Sequence, residues 1–261
     1  MKKNSLLILA LGAIPIAAYA GVGVVTGVQG DATVRHETGP QTKAVRFKDE
    51  AFWLDTYNTG AKSGLRLLVL DKSVVTLKEL SQMQLREENA TPTQPKKKNI
   101  VNLVSGAART VVEKDALKDS DYEIRTSRAI AGIRGSDLIG VIGTALNDQL
   151  QRAGLPRVPN NNCVAFVTGP GSTSGVVAPN VGNTDMGPLD LLIVCDQFTH
   201  NPVTANQFDG ISNFLPPTDP PPDLPPPPGG GGPPPTPPGF APTPTPRRSN
   251  SFLPRGGVEG L

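Results

Sequence analysis

The side chains best suited to chemistry in this sequence are few and scattered. Its two histidines, His36 and His200, lie far apart. A serine–histidine–aspartate relay would have to run through one of them. His36 sits in the alternating polar segment TVRHET, where exposure is expected, and His200 precedes Asn201-Pro202, a turn signal. Gly171–Gly175 reads GSTSG and puts Thr173 where a nucleophile elbow needs serine. Asp49-Glu50 and Glu87-Glu88 are adjacent acid pairs expected on loops. Neighbours on a strand point to opposite faces, so neither pair suits joint acid–base work. HExxH, P-loop and GxGxxG patterns do not occur. The expectation is a non-catalytic protein with no cofactor and no metal.

Two further groups can recognise rather than transform. Phe52, Trp53 and Tyr57 form the densest aromatic cluster. It reads as core packing or, if exposed, as a contact face for carbohydrate or protein. Arg125, Arg128 and Arg134 either bond loop carbonyls and carboxylates or line an interaction edge. A net charge of +2, with 25 basic and 23 acidic residues, gives no electrostatic case for nucleic acid. The basic triplet Lys96-Lys97-Lys98 reads as a solvated loop.

These side chains need a frame. Residues 21–143 alternate apolar and polar positions between Gly and Asp turn signals, the pattern of an all-β domain of short strands. Candidate strands include Ala32–Arg35, Lys43–Phe47, Leu65–Leu70 and Val74–Leu77, the last two joined through Asp71-Lys72-Ser73. Residues 144–213 are turn-rich. Thr144–Gly154 is the one helix expected, capped by Thr144, with Leu146 and Leu150 on one face. Cys163–Val167 and Leu189–Cys195 read as strands flanking a Gly/Pro/Ser/Asn loop. From residue 214 to 261, proline and glycine dominate and a disordered tail is expected. Its bland role is a spacer; its sharper one is a polyproline ligand.

Compartment is read from the first twenty residues and from the cysteines. Lys2-Lys3, the apolar run Leu6–Ala18 and Ala18-Tyr19-Ala20 have the form of a cleaved secretory leader, with no membrane span in the mature chain. The expected location is periplasmic or cell-surface associated. In such an oxidising setting Cys163 and Cys195 are most simply one disulfide, with free thiols or metal ligation as the alternatives.

The pattern that carries an identity is spread over about 21–142. Gly27-x-x-Gly30-x-x-x-Val34 opens it, and Thr59-Gly60 precedes Ser63-Gly64-Leu65-Arg66-Leu67. Asp71-x-Ser73-x-Val75-x-Leu77, Ser81, Leu85 and Leu103-x-x-Gly106 follow. Arg125-Thr126-x-x-Ala129-x-Ala131-x-Ile133-Arg134-Gly135-Ser136 closes it. In order and spacing this resembles the FecR domain of bacterial envelope proteins. The resemblance implies short, twisted strands in a solenoid-like or sandwich-like body. Gly60, Gly64, Asp71, Ser73, Gly106, Arg125, Thr126, Arg134, Gly135 and Ser136 become structural or interface positions. The chain departs from the family at Lys72, where glycine is usual, and at Ser136, where threonine is usual. The best-known members are transmembrane regulators with a cytoplasmic helical segment that controls a sigma factor. This sequence resembles a stand-alone exported version, to which that mechanism does not carry over. The functional expectation is an interaction, sensing or scaffold module with an envelope protein partner. The alternatives are a peptidoglycan- or polysaccharide-binding module, and an assembly or surface-attachment component acting through the tail.

Overall fold

The computed structural model describes residues 21–69 and 72–214. The expected leader, Asp71 and the proline-rich stretch beyond residue 214 lie outside them. Among the described residues no helix is long and apolar enough to cross a membrane.

Alternation builds the strands as expected. In β1 (Gly23–Gln29) every second residue from Gly23 to Gly27 is buried. In β8 (Gln82–Glu88) Met83 and Leu85 are buried, and in β11 (Ser120–Arg125) Tyr122 and Ile124 are. Such strands bury one face and leave the other to polar side chains. The remaining early strands are β2 (Ala32–Arg35), β3 (Thr42–Ala44), β4 (Glu50–Ala51), β5 (Thr56–Thr59), β6 (Gly64–Val69) and β7 (Val74–Leu77). After them come β9 (Lys97–Ser105), β10 (Ala107–Val111), a single helical turn α1 (Ala116–Asp119), β12 (Ile130–Ile133) and β13 (Asp137–Ile142). The described residues close with α2 (Asn147–Arg152), β14 (Val164–Thr168), β15 (Ser174–Ala178), β16 (Gly182–Met186), β17 (Asp190–Val194), β18 (Phe198–Pro202) and α3 (Ala205–Ser212).

Among the described residues two nine-stranded sheets result, ordered β18-β17-β14-β13-β10-β7-β6-β1-β4 and β16-β15-β12-β11-β9-β8-β5-β2-β3. They share one core: Leu65, Leu67, Val75, Phe166 and Leu192 of the first sheet meet Tyr57, Met83, Leu103, Ile124 and Met186 of the second. The body is therefore a sandwich by layering. It is also solenoid-like by progression, because from β6 onward the strands follow chain order in both sheets. The pairings are antiparallel except β9 with β11, which run parallel.

A second layer explains the unbroken apolar runs CVAFV and LDLLIVC. All five residues of β14 are buried. Val164 and Phe166 face the inter-sheet core, while Ala165 and Val167 join a second cluster with Leu191, Ile193, Leu150, Phe208 and Ile211. Helices α2 and α3 thus cover the outer face of the first sheet, and a strand buried on both sides cannot alternate. Phe214 is buried in the same cluster.

Several local expectations need correction. Thr144 does not cap α2. The helix starts three residues later with Leu146 at its N-cap and no side-chain cap, while the Thr144 hydroxyl lies 3.3 Å from Asn161 Oδ1. Gly154, at φ +70°, does end it. It is not the one helix: Thr204 caps α3 in a reciprocal capping box with Gln207, a TANQ signature that preceded the apolar pair Phe208 and Ile211. The loop expected between the cysteine strands is the β15–β16 hairpin. Glu87 and Glu88 lie on β8, and Lys97 and Lys98 on β9, because these two strands run longer than their apolar residues alone suggested.

Lys72 has φ +68° at the β6–β7 turn, the left-handed conformation that glycine would adopt without strain. Gly106 does the same work legitimately at φ +80°. A side chain there would collide with Ser81, whose hydroxyl accepts from Ala107 N at 2.9 Å.

Candidate binding site

The β2–β5 register brings the most suggestive side chains together. Arg35 pairs with Thr56, and one step further His36 faces Asp55. His36 Nδ1 lies 2.8 Å from Asp55 Oδ1. The other carboxylate oxygen accepts from the Tyr57 hydroxyl at 3.1 Å and from the Phe52 backbone N–H at 3.0 Å. Asp55 is 1% exposed, so a carboxylate has been buried with three donors around it. The Phe52 ring meets the His36 imidazole edge-on at 5.8 Å. Exposure was expected for His36; it is half-buried because Asp55 and Phe52 hold it.

The loop carrying these groups is tightly fixed. Leu54 stands at φ +67°, a conformation an L side chain adopts at a cost of about 1 kcal/mol. Its N–H donates to Leu85 O at 2.7 Å, and Gln84 Nε2 donates to Leu54 O at 3.1 Å. Backbone strain of this kind persists where surrounding contacts over-determine it.

His36, Glu37, Thr38, Phe52, Trp53 and Asp55 line a hollow of about 190 Å³. Trp53 packs against the core and also forms a wall of this hollow. The aromatic cluster therefore divides. Phe52 and Trp53 are partly accessible, whereas Tyr57 is 1% exposed and belongs to the core, not to a contact face. Burial, and then the neighbouring Asp55 carboxylate, push the Tyr57 phenol well above its ordinary range.

The motif glycines, serines and arginines serve turns at separate places along the sandwich. Gly60 N–H donates to Asp31 O at 2.8 Å, and its carbonyl accepts from Leu80 N at 3.0 Å. Gly64 starts β6 opposite Gln29. The buried Ser73 accepts from Val69 N at 2.8 Å through its carbonyl. The Thr126 hydroxyl donates to Ala129 O at 2.8 Å and accepts from Ala129 N at 3.0 Å, closing the β11–β12 hairpin. Gly135 packs against Ser172, whose hydroxyl accepts from the N–H groups of Ser136 and Asp137 at 3.1 and 2.9 Å.

The arginines are engaged within the chain. Arg125 grips both oxygens of Glu88, at 2.6 and 3.0 Å, and reaches Glu123 at 2.8 Å. That fork holds the Glu88 carboxyl below its usual range. Arg128 donates to Cys195 O at 3.0 Å. Arg134, well exposed, pairs with Asp185 at 3.3 Å. The lysine triplet is not a free loop either: Lys97 and Lys98 pair with Glu87 and Glu123.

Cys163 and Cys195 form the expected disulfide. They flank the paired residues Val164 and Val194 at one end of the β14–β17 ladder.

Like the His36–Asp55 pair, a second constellation is hidden in the sequence. His200 lies in β18 rather than in a turn. Its Nδ1 is 2.6 Å from Asp190 Oδ2, and its Nε2 is 3.1 Å from Thr184 Oγ1. The hydroxyl–imidazole–carboxylate spacing matches a nucleophile relay. Its setting differs: Thr184 and His200 occupy the edge strands of opposite sheets and close the gap between them, and His200 is exposed. A hydroxyl can donate or accept, so this bond survives either protonation state of the imidazole. Among the described residues no three metal-ligating side chains are gathered to hold an ion.

Residues 55–150 match a family model described as FecR protein. No curated protein matches the chain. Two crystal structures of a candidate anti-sigma factor from Parabacteroides distasonis ATCC 8503 are similar to it, at 15% and 14% identity with TM-scores of 0.43 and 0.42. Each match covers 58% of this chain and 61% of that one, so the chain spans about three-fifths of that protein.

Proposed function

We propose, from its FecR-family segment, that this chain is a non-catalytic binding and sensing module of a bacterial envelope that acts through a protein partner. The observation that carries the proposal is the family match over residues 55–150, since FecR-like proteins work by contact with other proteins. The Cys163–Cys195 disulfide suits an oxidising, exported setting. The edge strands β16 and β18 offer backbone groups to which a partner strand can add.

In-cell photo-crosslinking tests this. Crosslinkers placed at Asn183 on β16, at Thr199 on β18 and at Arg35 beside the pocket should trap a discrete second envelope protein from at least one position. Adducts of the chain with itself alone, or none from any position, would reject the proposal.

A further inference from the structure

The pocket beside His36 carries recognition chemistry that the scaffold leaves unused. Its bond to Asp55 fixes the imidazole, so a neutral ring donates from Nδ1–H and keeps Nε2 as an acceptor. Glu37 and Thr38 line the same hollow, and their side chains make no hydrogen bond among the described residues. Phe52 and Trp53 supply the apolar wall. A second hollow, about 520 Å³, adjoins the first across residues 36–38 and adds Arg35, Thr56 and Gln84.

We propose that these paired hollows bind a saccharide chain, with one ring against Phe52 and Trp53 and the next across His36–Thr38. This rests on reading the chain as a binding module and names a ligand for it. Aromatic walls with a few placed polar groups take a ligand that is apolar on its ring faces and polar at its rim. The unused groups near Trp53 are mainly acceptors, and hydroxyl groups supply the donors they need. Glu37 and the buried Asp55 disfavour an anionic group in the first hollow, and Arg35 adds a donor to the second. Two hollows sharing one ridge have room for two linked sugar units.

Trp53 is the only tryptophan in the chain, so any tryptophan emission change arises at this wall of the pocket. The full-length protein is titrated with N-acetylated cell-wall oligosaccharides and, separately, with neutral gluco-oligosaccharides, from one to four sugars; a tripeptide serves as control. A saturable emission change is expected with one series, the disaccharide binding about tenfold tighter than the monosaccharide. The series that responds identifies the source. Glu37→Ala, at an exposed side chain, should weaken binding about tenfold with an unchanged melting temperature. His36→Gln should weaken it as well. No saturable change with either series at millimolar concentration, a response to the tripeptide alone, or undiminished binding by both variants overturns the proposal. Any of these results leaves the crosslinking outcome untouched, so the two ideas fail separately.

Discussion

Arg109 on β10 forks onto Asp137 on the neighbouring β13, with Nε and Nη2 at 3.0 and 2.6 Å from the two carboxylate oxygens. The third guanidinium nitrogen donates to Ser212 O at 3.2 Å, and the fork lies 5.6 Å from the Phe208 ring. One side chain therefore fastens α3 to the sheet it covers. Arg109→Ala should cost about 1–3 kcal/mol in denaturant unfolding, because Asp137 is left almost buried without its partner. Hydrogen exchange should accelerate in α3 before it does in β10. Arg109→Lys should not restore it, since an ammonium cannot make the two-pronged contact.

Reduction of the disulfide should lower stability without unfolding the chain. A link over 32 residues constrains the unfolded state by roughly 3.7 kcal/mol in the chain-entropy model. The cysteines sit beside strands already paired in register, so the fold persists. Denaturant curves with and without reductant, read by near-ultraviolet circular dichroism, check both points.

Alkaline pH should destabilise the protein through Tyr57. Its phenol is raised in the folded state above the usual 10.0, so the unfolded chain ionises first. The contribution is fully present below pH about 10 and is lost as pH rises beyond it. Tyr57→Phe should flatten the alkaline limb of the stability profile, while costing about 1 kcal/mol at neutral pH for the lost bond to Asp55.

Lys72→Gly should stabilise the β6–β7 turn. Removing left-handed strain gains about 1 kcal/mol, and the extra freedom of glycine in the unfolded chain offsets part of it. A melting temperature raised by a degree or more supports this; a lowered one places the strain elsewhere.

His200→Ala should open the seam between the sheets, costing about 1 kcal/mol and increasing self-association at the exposed edges. A fluorophosphonate probe should not label Thr184, because the hydroxyl joins two edge strands and its partner His200 is exposed.

The frame was legible in the residues where single-sided burial writes itself as alternation: Ala32–Arg35 emerges with the bounds expected. Val74–Leu77 also keeps its bounds, although Val75, Thr76 and Leu77 are all buried. The disulfide followed from two cysteines and a compartment. What hid were features set by pairing across the chain. Asp55 looks like a turn aspartate until β2 and β5 are aligned, and only then does it meet His36. The same holds for Thr184 and His200, which belong to different sheets. β16 carries GNTDM, too polar to register as a strand, because at an edge only Met186 is buried.

The progressive strand order has a consequence for assembly. Each arriving pair, from β6 and β7 to β17 and β18, finds its neighbour already in place at the growing rim. Such a body can form by accretion as the chain emerges, without waiting for its far end. Chains cut short between hairpins would then retain an ordered front portion, and the last strands to arrive, like β3 and β4 at the opposite rims, are left with an open side.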